Sequence, residues 1–160
     1  MCVGMAWGQQ PITDVNQLRN DKVYTIVPKQ IERGALYATS TSTYLDACGG
    51  TMNGATNKGV TINPSSKDQQ FALYKHEDSF YLFSVGANKY VSDVTNNRFP
   101  LIEKPGYAVS VVKSDTENYF IVKVKGSEFI NVSTGWDCGC VGGWNNTDDG
   151  NRLLITEVAD

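Results

Sequence analysis

An all-β fold is what this sequence predicts, and three observations carry the prediction. Short β-branched and aromatic runs recur along the chain, Gly- and Asn-rich turns separate them, and the runs repeat as three copies of one unit. Stretches with helical periodicity are few, and the 15 glycines suit tight turns between short strands.

The elements follow in order. The leader, MCVGMAWGQQ, is apolar, and its Ala6-Trp7-Gly8 has the small-x-small form that precedes a signal-peptidase cut. Residues 1–10 are read as a signal-peptide remnant or a disordered leader, and 11–160 as the domain. Residues 14–18 (DVNQL) suit one helical turn sealing the end of a barrel. The first unit, about 20–77, opens on 22–27 (KVYTIV) and turns at Arg33-Gly34 into 35–39 (ALYAT). The second, about 78–116, opens on 79–85 (SFYLFSV) and continues in 90–94 (YVSDV). The third, about 117–160, opens on 118–124 (NYFIVKV) and continues in 129–133 (FINVS). Phe80 to Tyr90 and Tyr119 to Phe129 have the same spacing, so these two units superimpose without a gap.

Each unit closes on a further strand, at 70–75 (QFALYK), 107–113 (YAVSVVK) and 152–158 (RLLITEV). Between second and closing strands a third fits near 59–62, 99–102 and 140–144. The first unit is longer by residues 40–57, a polar, turn-rich stretch that reads as an extended surface loop. Units of this kind cannot each bury an apolar face alone, so they close around a common axis. Three four-stranded repeats with pseudo-threefold symmetry make a β-trefoil.

A chain of 160 residues suffices for one such domain with one core. Its net charge of −3 gives no basic footprint, which argues against a nucleic-acid partner, and no stretch is long and apolar enough for a membrane-spanning helix. His76 is the single histidine, so no zinc site built on several imidazoles is expected, and Lys75-His76-Glu77-Asp78 reads as a charged turn rather than part of a triad. No metal or other cofactor is expected. Cys138 and Cys140 are too close to bridge each other well; Cys48 bridging one of them, or all three as thiols, are both open.

Informative polar and aromatic residues are densest at 136–151 (WDCGCVGGWNNTDDGN), which holds two of the three tryptophans. Sugar recognition uses this chemistry: an aromatic face packs on the C–H patch of a pyranose, while carboxylates and amides meet its hydroxyls. The alternative is Trp144 as a barrel-core aromatic, and residues 145–150 as a turn held by Asx hydrogen bonds. The acidic run at 146–150 lacks the alternating oxygen ligands of a calcium loop.

The three units and the run Gly143-Trp144-Asn145-Asn146-Thr147-Asp148-Asp149-Gly150-Asn151 resemble the ricin-type β-trefoil lectin-like domains, over roughly 12–160. The likeness is to modules of secreted glycoside hydrolases and other exported proteins of gut Bacteroidetes. What the resemblance implies is a shallow sugar pocket with Asp137 as carboxylate, Trp144 as stacking aromatic, and Asn145 and Asn151 as amide partners, with Trp136 and Asp149 beside them. Tyr44, Asp46 and Asn53 form a candidate second site. The family's Gln-x-Trp in the closing strand is missing, Gln70-Phe71 being its nearest approach.

A non-catalytic glycan-binding module is the function this predicts, as a monomer or as part of a larger protein, secreted, periplasmic or at the cell surface. A protein-binding trefoil such as a protease inhibitor, presenting the 40–57 loop, is the alternative. A hydrolase is disfavoured: Asp148 and Asp149 are sequence neighbours that point apart, with no second acid placed opposite.

Overall fold

The computed structural model describes residues 10–47, 62–124, 128–133, 141–144 and 148–160. Among the described residues ten strands share one antiparallel sheet: β1 (Tyr24–Pro28), β2 (Phe71–His76), β3 (Ser79–Ser84), β4 (Lys89–Val91), β5 (Leu101–Ile102), β6 (Ser110–Lys113), β7 (Phe120–Lys123), β8 (Phe129–Val132), β9 (Val141–Trp144) and β10 (Leu153–Glu157). Neighbours run β5-β4-β3-β2-β1-β10-β7-β8-β9, and β6 joins β7. Pairing of β1 with β10, Tyr24 with Glu157 through Pro28 with Leu153, brings the first and last strands together.

The threefold pattern is written in the pairing. Tyr24, Phe80 and Phe120 on the opening strands face Phe71, Val109 and Leu153 on the closing strands, and none of the six is more than 3% exposed. Two positions on, Ile26, Leu82 and Val122 are fully buried. Leu36, Val91 and Ile130 from the second strands and Leu45, Phe99 and Val141 from the third complete the interior. Alternation of period two sends these residues inward, and each burial contributes roughly 1.5–3 kcal/mol relative to exposure. The expected turn at 14–18 is a 3-10 turn, Val15–Gln17, closed by a capping box from Asp14 and Gln17. It sits beside the core, with Val15 and Leu18 packed against it.

Three expectations are corrected. The 40–57 stretch does not stay at the surface in its described part, 40–47: Tyr37 bridges Asp46, and Leu45 and Ala47 are fully buried. The strand expected near 59–62 lies, but for Ile62, outside the described residues. The second and third units do not superimpose without a gap. Phe120, not Tyr119, matches Phe80, while Phe83–Tyr90 and Lys123–Phe129 are the equivalent pairs, so the third hairpin is one residue shorter. Finally, an amide does precede the closing strand, one residue earlier than expected. Ala38 N–H donates to Asp68 O (2.9 Å) and Val132 N–H to Gly150 O (3.0 Å), which makes Gln69-Gln70-Phe71 equivalent to Asn151-Arg152-Leu153. Gln69 and Asn151 are both buried, at 6% and 0% exposure.

Glycine marks where units touch. A Cβ on Gly86, in the β3–β4 turn, would lie 2.5 Å from Ala38 O and 2.6 Å from Asp68 Cα, both in the first unit.

Candidate functional site

Two shallow cavities coincide with the regions singled out in the sequence. The first belongs to the third unit. With Val141 facing the core, alternation turns Trp144 outward at the end of β9, where it is 43% exposed. Trp144 is thus a surface residue, which resolves its two sequence readings against a place in the core. Gly143 lets the strand pass: a Cβ there would collide with the Glu128 carboxylate and come within 2.9 Å of Val94 Cγ2.

Opposite Trp144, the turn after the undescribed 145–147 is clamped to β8. Asp148 Oδ1 accepts from Asn131 Nδ2 (2.8 Å), Gly150 N–H (2.8 Å) and Asn151 N–H (3.3 Å). Asn151 Oδ1 accepts from Asn131 Nδ2 (3.0 Å) and Asp148 N–H (3.2 Å), and its Nδ2 donates to Ile130 O (3.3 Å). Arg33 reaches in from the first unit, donating from Nη1 to Val132 O (2.9 Å). Arg33, Asn131, Ser133, Trp144 and Asp148 line a cavity of about 150 Å³.

The clamp changes the expected ligand set. Asn151 is fully buried and its amide is spent beneath the cavity, so its position is that of a support and not of a ligand partner. Asp149 is not among the lining residues. Its Oδ1 meets Arg152 Nη1 (3.1 Å) and Lys29 Nζ (3.5 Å), and its Oδ2 accepts from Gln30 Nε2 (3.3 Å). Arg152 in turn forks onto both oxygens of Asp115, at 2.8 and 2.9 Å, and these charge-assisted bonds hold the Asp115 carboxyl below the ordinary aspartate value. Asp137, Trp136 and Asn145 lie outside the described residues, as do Cys48, Cys138 and Cys140 and the leader at 1–9.

The second cavity, about 300 Å³, belongs to the first unit and does bring Tyr44 and Asp46 together; Asn53 lies outside the described residues. Tyr37, Thr39, Thr41, Ser42, Thr43 and Arg98 complete its lining. Tyr37 and Thr39 hold the positions that Asn131 and Ser133 hold in the third unit, so the two cavities open over equivalent stretches of second strand. Hydroxyls shape the rim: Thr39 N–H donates to Ser42 Oγ (2.9 Å), and Thr39 Oγ1 lies 3.2 Å from both Thr41 Oγ1 and Ser42 Oγ. Asp46 Oδ1 accepts from Ala47 N–H (2.7 Å). Burial, reinforced by the carboxylates of Asp46 and Asp68, pushes the Tyr37 hydroxyl up to about 12. Arg98 arrives from the second unit on a tight turn whose Asn96 and Asn97 both have positive φ, and its guanidinium lies over the Tyr44 ring, 4.1 Å from the centroid.

Sequence reading missed Arg33, Asn131, Ser133 and Asp148 in one cavity and Tyr37 and Arg98 in the other. Asn131 alone had a local signal, an amide inside the otherwise apolar strand Phe129-Ile130-Asn131-Val132. His76 is exposed at the β2–β3 turn and stacks on Tyr81, 4.7 Å between centroids. Among the described residues no group of three His, Cys, Asp or Glu is gathered as a metal site.

No protein-family model matches the sequence, and no curated protein matches it. Solved structures do match the fold. The Macrolepiota procera ricin B-like lectin, solved with lactose, superimposes with a TM-score of 0.65 at 14% identity, covering 87% of this chain and 97% of the lectin. The Rhizoctonia solani agglutinin gives 0.63 at 12% identity, covering 85% of this chain and 94% of the agglutinin. An endo-β-galactosidase from Clostridium perfringens that releases GlcNAcα1-4Gal gives 0.66 at 14% identity over 87% of this chain, which spans 33% of that enzyme. At these identities the likeness establishes the β-trefoil fold alone.

Proposed function

We propose that this chain is a non-catalytic carbohydrate-binding module. One observation carries the reading: a half-exposed tryptophan, Trp144, at the rim of a small polar cavity whose other lining groups are a carboxylate, an amide, a hydroxyl and a guanidinium. That set offers a pyranose an apolar face for its C–H patch and both donors and acceptors for its hydroxyls. A shallow pocket of this size leaves most of an oligosaccharide in water, so affinities in the micromolar to millimolar range are expected.

The architecture supports the reading by likeness. The Macrolepiota protein bears the name of a lectin and was solved with lactose, and the Clostridium enzyme is much longer than the matching part of it. By that analogy, this chain serves as a glycan-binding unit accessory to a secreted glycoside hydrolase, outside the cytoplasm where polysaccharides and glycoproteins are met. Trp144, Asp148 and Ser133 are proposed as the ligand contacts in the third unit, with Asn131 holding Asp148 in place, and Trp136, Asp137 and Asn145 are proposed beside them. Tyr44 and Asp46 are proposed for the first unit, with Asn53.

A glycan array probed with the labelled full chain tests this. Retention of a defined subset of galactosides or related sugars is expected, competed by the free sugar. Failure to retain any glycan at millimolar ligand would overturn the proposal.

A further inference from the structure

The first-unit cavity differs from the third-unit one in a way that bears on its ligand. Arg98 lines it with the guanidinium over the Tyr44 ring, which anchors the cation at the cavity wall. Its Nε is closed off from solvent and has no hydrogen-bond partner. Among the described residues the guanidinium makes no ion pair either. By contrast, Arg152 holds two carboxylates, and Arg33, at the third-unit cavity, donates to a carbonyl. With Nε sealed, the Nη groups of this cation, which bond no described residue, are the donors left for an acceptor that comes from outside.

Asp46 stands in the same cavity and narrows what that acceptor can belong to. A small free anion would meet the carboxylate as well as the guanidinium and gain little. A larger ligand can satisfy both at once, giving hydroxyls to Asp46 and to the Thr41, Ser42 and Thr43 rim and an anionic group to Arg98. We propose that this cavity takes a sugar carrying an anionic oxygen group, the carboxylate of a uronic acid or a sulfate ester. The inference rests on the carbohydrate-binding reading and adds the charge class of the ligand.

The test is a titration of the isotope-labelled full chain, followed by amide chemical shifts at residues 39–46 and 98. Four probes are used: galactose, galacturonate, galactose 6-sulfate and inorganic sulfate. At least one acidic sugar should bind about tenfold or more tighter than galactose, with shifts at these residues. Galacturonate against galactose 6-sulfate shows which anionic group the fork accepts. Arg98→Gln should abolish the preference for the acidic sugar, Arg98→Lys should retain part of it, and raised salt should weaken it. Inorganic sulfate should not shift these residues at the same concentration. Galactose binding as well as the acidic sugars, with Arg98→Gln unchanged, would overturn the charge assignment while leaving glycan binding intact. Absence of shifts at 39–46 with every sugar would overturn the cavity as a glycan site. Equal binding of inorganic sulfate would show an anion site and not a sugar site.

Discussion

Removing the Asn151 side chain should cost stability before it costs ligand. In Asn151→Ala three hydrogen bonds of that side chain are lost, from Asn131 Nδ2, from Asp148 N–H and to Ile130 O. A typical buried hydrogen bond contributes a net ~0.5–1.5 kcal/mol, and an orphaned buried partner raises the cost. The sum is about 2–4 kcal/mol. For a domain of this length each kcal/mol moves the melting temperature by about 2–4 °C, so a fall of roughly 5–15 °C is expected. Thermal and urea unfolding, followed by circular dichroism, read it directly. Asp149→Asn is the control: its ion pairs are partly exposed and worth less than about 1 kcal/mol. An Asn151→Ala protein that melts within about a degree of the wild type would refute the clamp. If such a protein had also lost glycan binding, Asn151 would be the ligand residue that the resemblance implies.

Two further predictions test the packing and the first-unit cavity. Gly86→Ala should destabilise by ~1–3 kcal/mol in urea unfolding, because the new methyl meets backbone of the first unit that cannot yield cheaply; an unchanged midpoint would contradict the tight contact between units. Tyr37 ionises near 12 when folded but at about 10 when unfolded, so the unfolded chain gives up its proton first and stability should fall as pH rises from about 10 to 12. Tyr24, also raised by burial, adds to the same limb, and Tyr37→Phe should flatten it only in part; identical alkaline slopes for mutant and wild type would count against the buried hydroxyl.

The opening and closing strands were legible because each is dense in β-branched and aromatic residues at period two. The inward turn of the first unit's 40–47 stretch was not. Leu45-Asp46-Ala47 has weak strand propensity, yet Asp46 bridges Tyr37 and Leu45 N–H is bonded to Phe99 O (2.9 Å) in another unit. Tyr119-Phe120 posed a different problem. Adjacent aromatics fit either register, a slip of one residue exchanges the faces, and only the pairing of Phe120 with Leu153 decides between them. The site was legible as a region and not as a list. Trp144, Asp149 and Asn151 look alike as polar-loop candidates, but one is exposed, one is drawn into a charged cluster, and one is buried beneath the cavity. Arg33 and Arg98 reach their cavities from other units, and nothing local in the sequence announces that.

The most direct test of glycan binding at the third unit is isothermal titration of the glycan retained most strongly on the array against wild type and Trp144→Ala, with a melting curve for each. Because Trp144 is a surface residue, the substitution should leave the melting temperature within about 2–3 °C. Binding at that cavity should weaken at least tenfold, about 1.4 kcal/mol. Undiminished affinity in a folded Trp144→Ala protein would contradict the account, and so would a collapse of the fold that showed the indole to be part of the core.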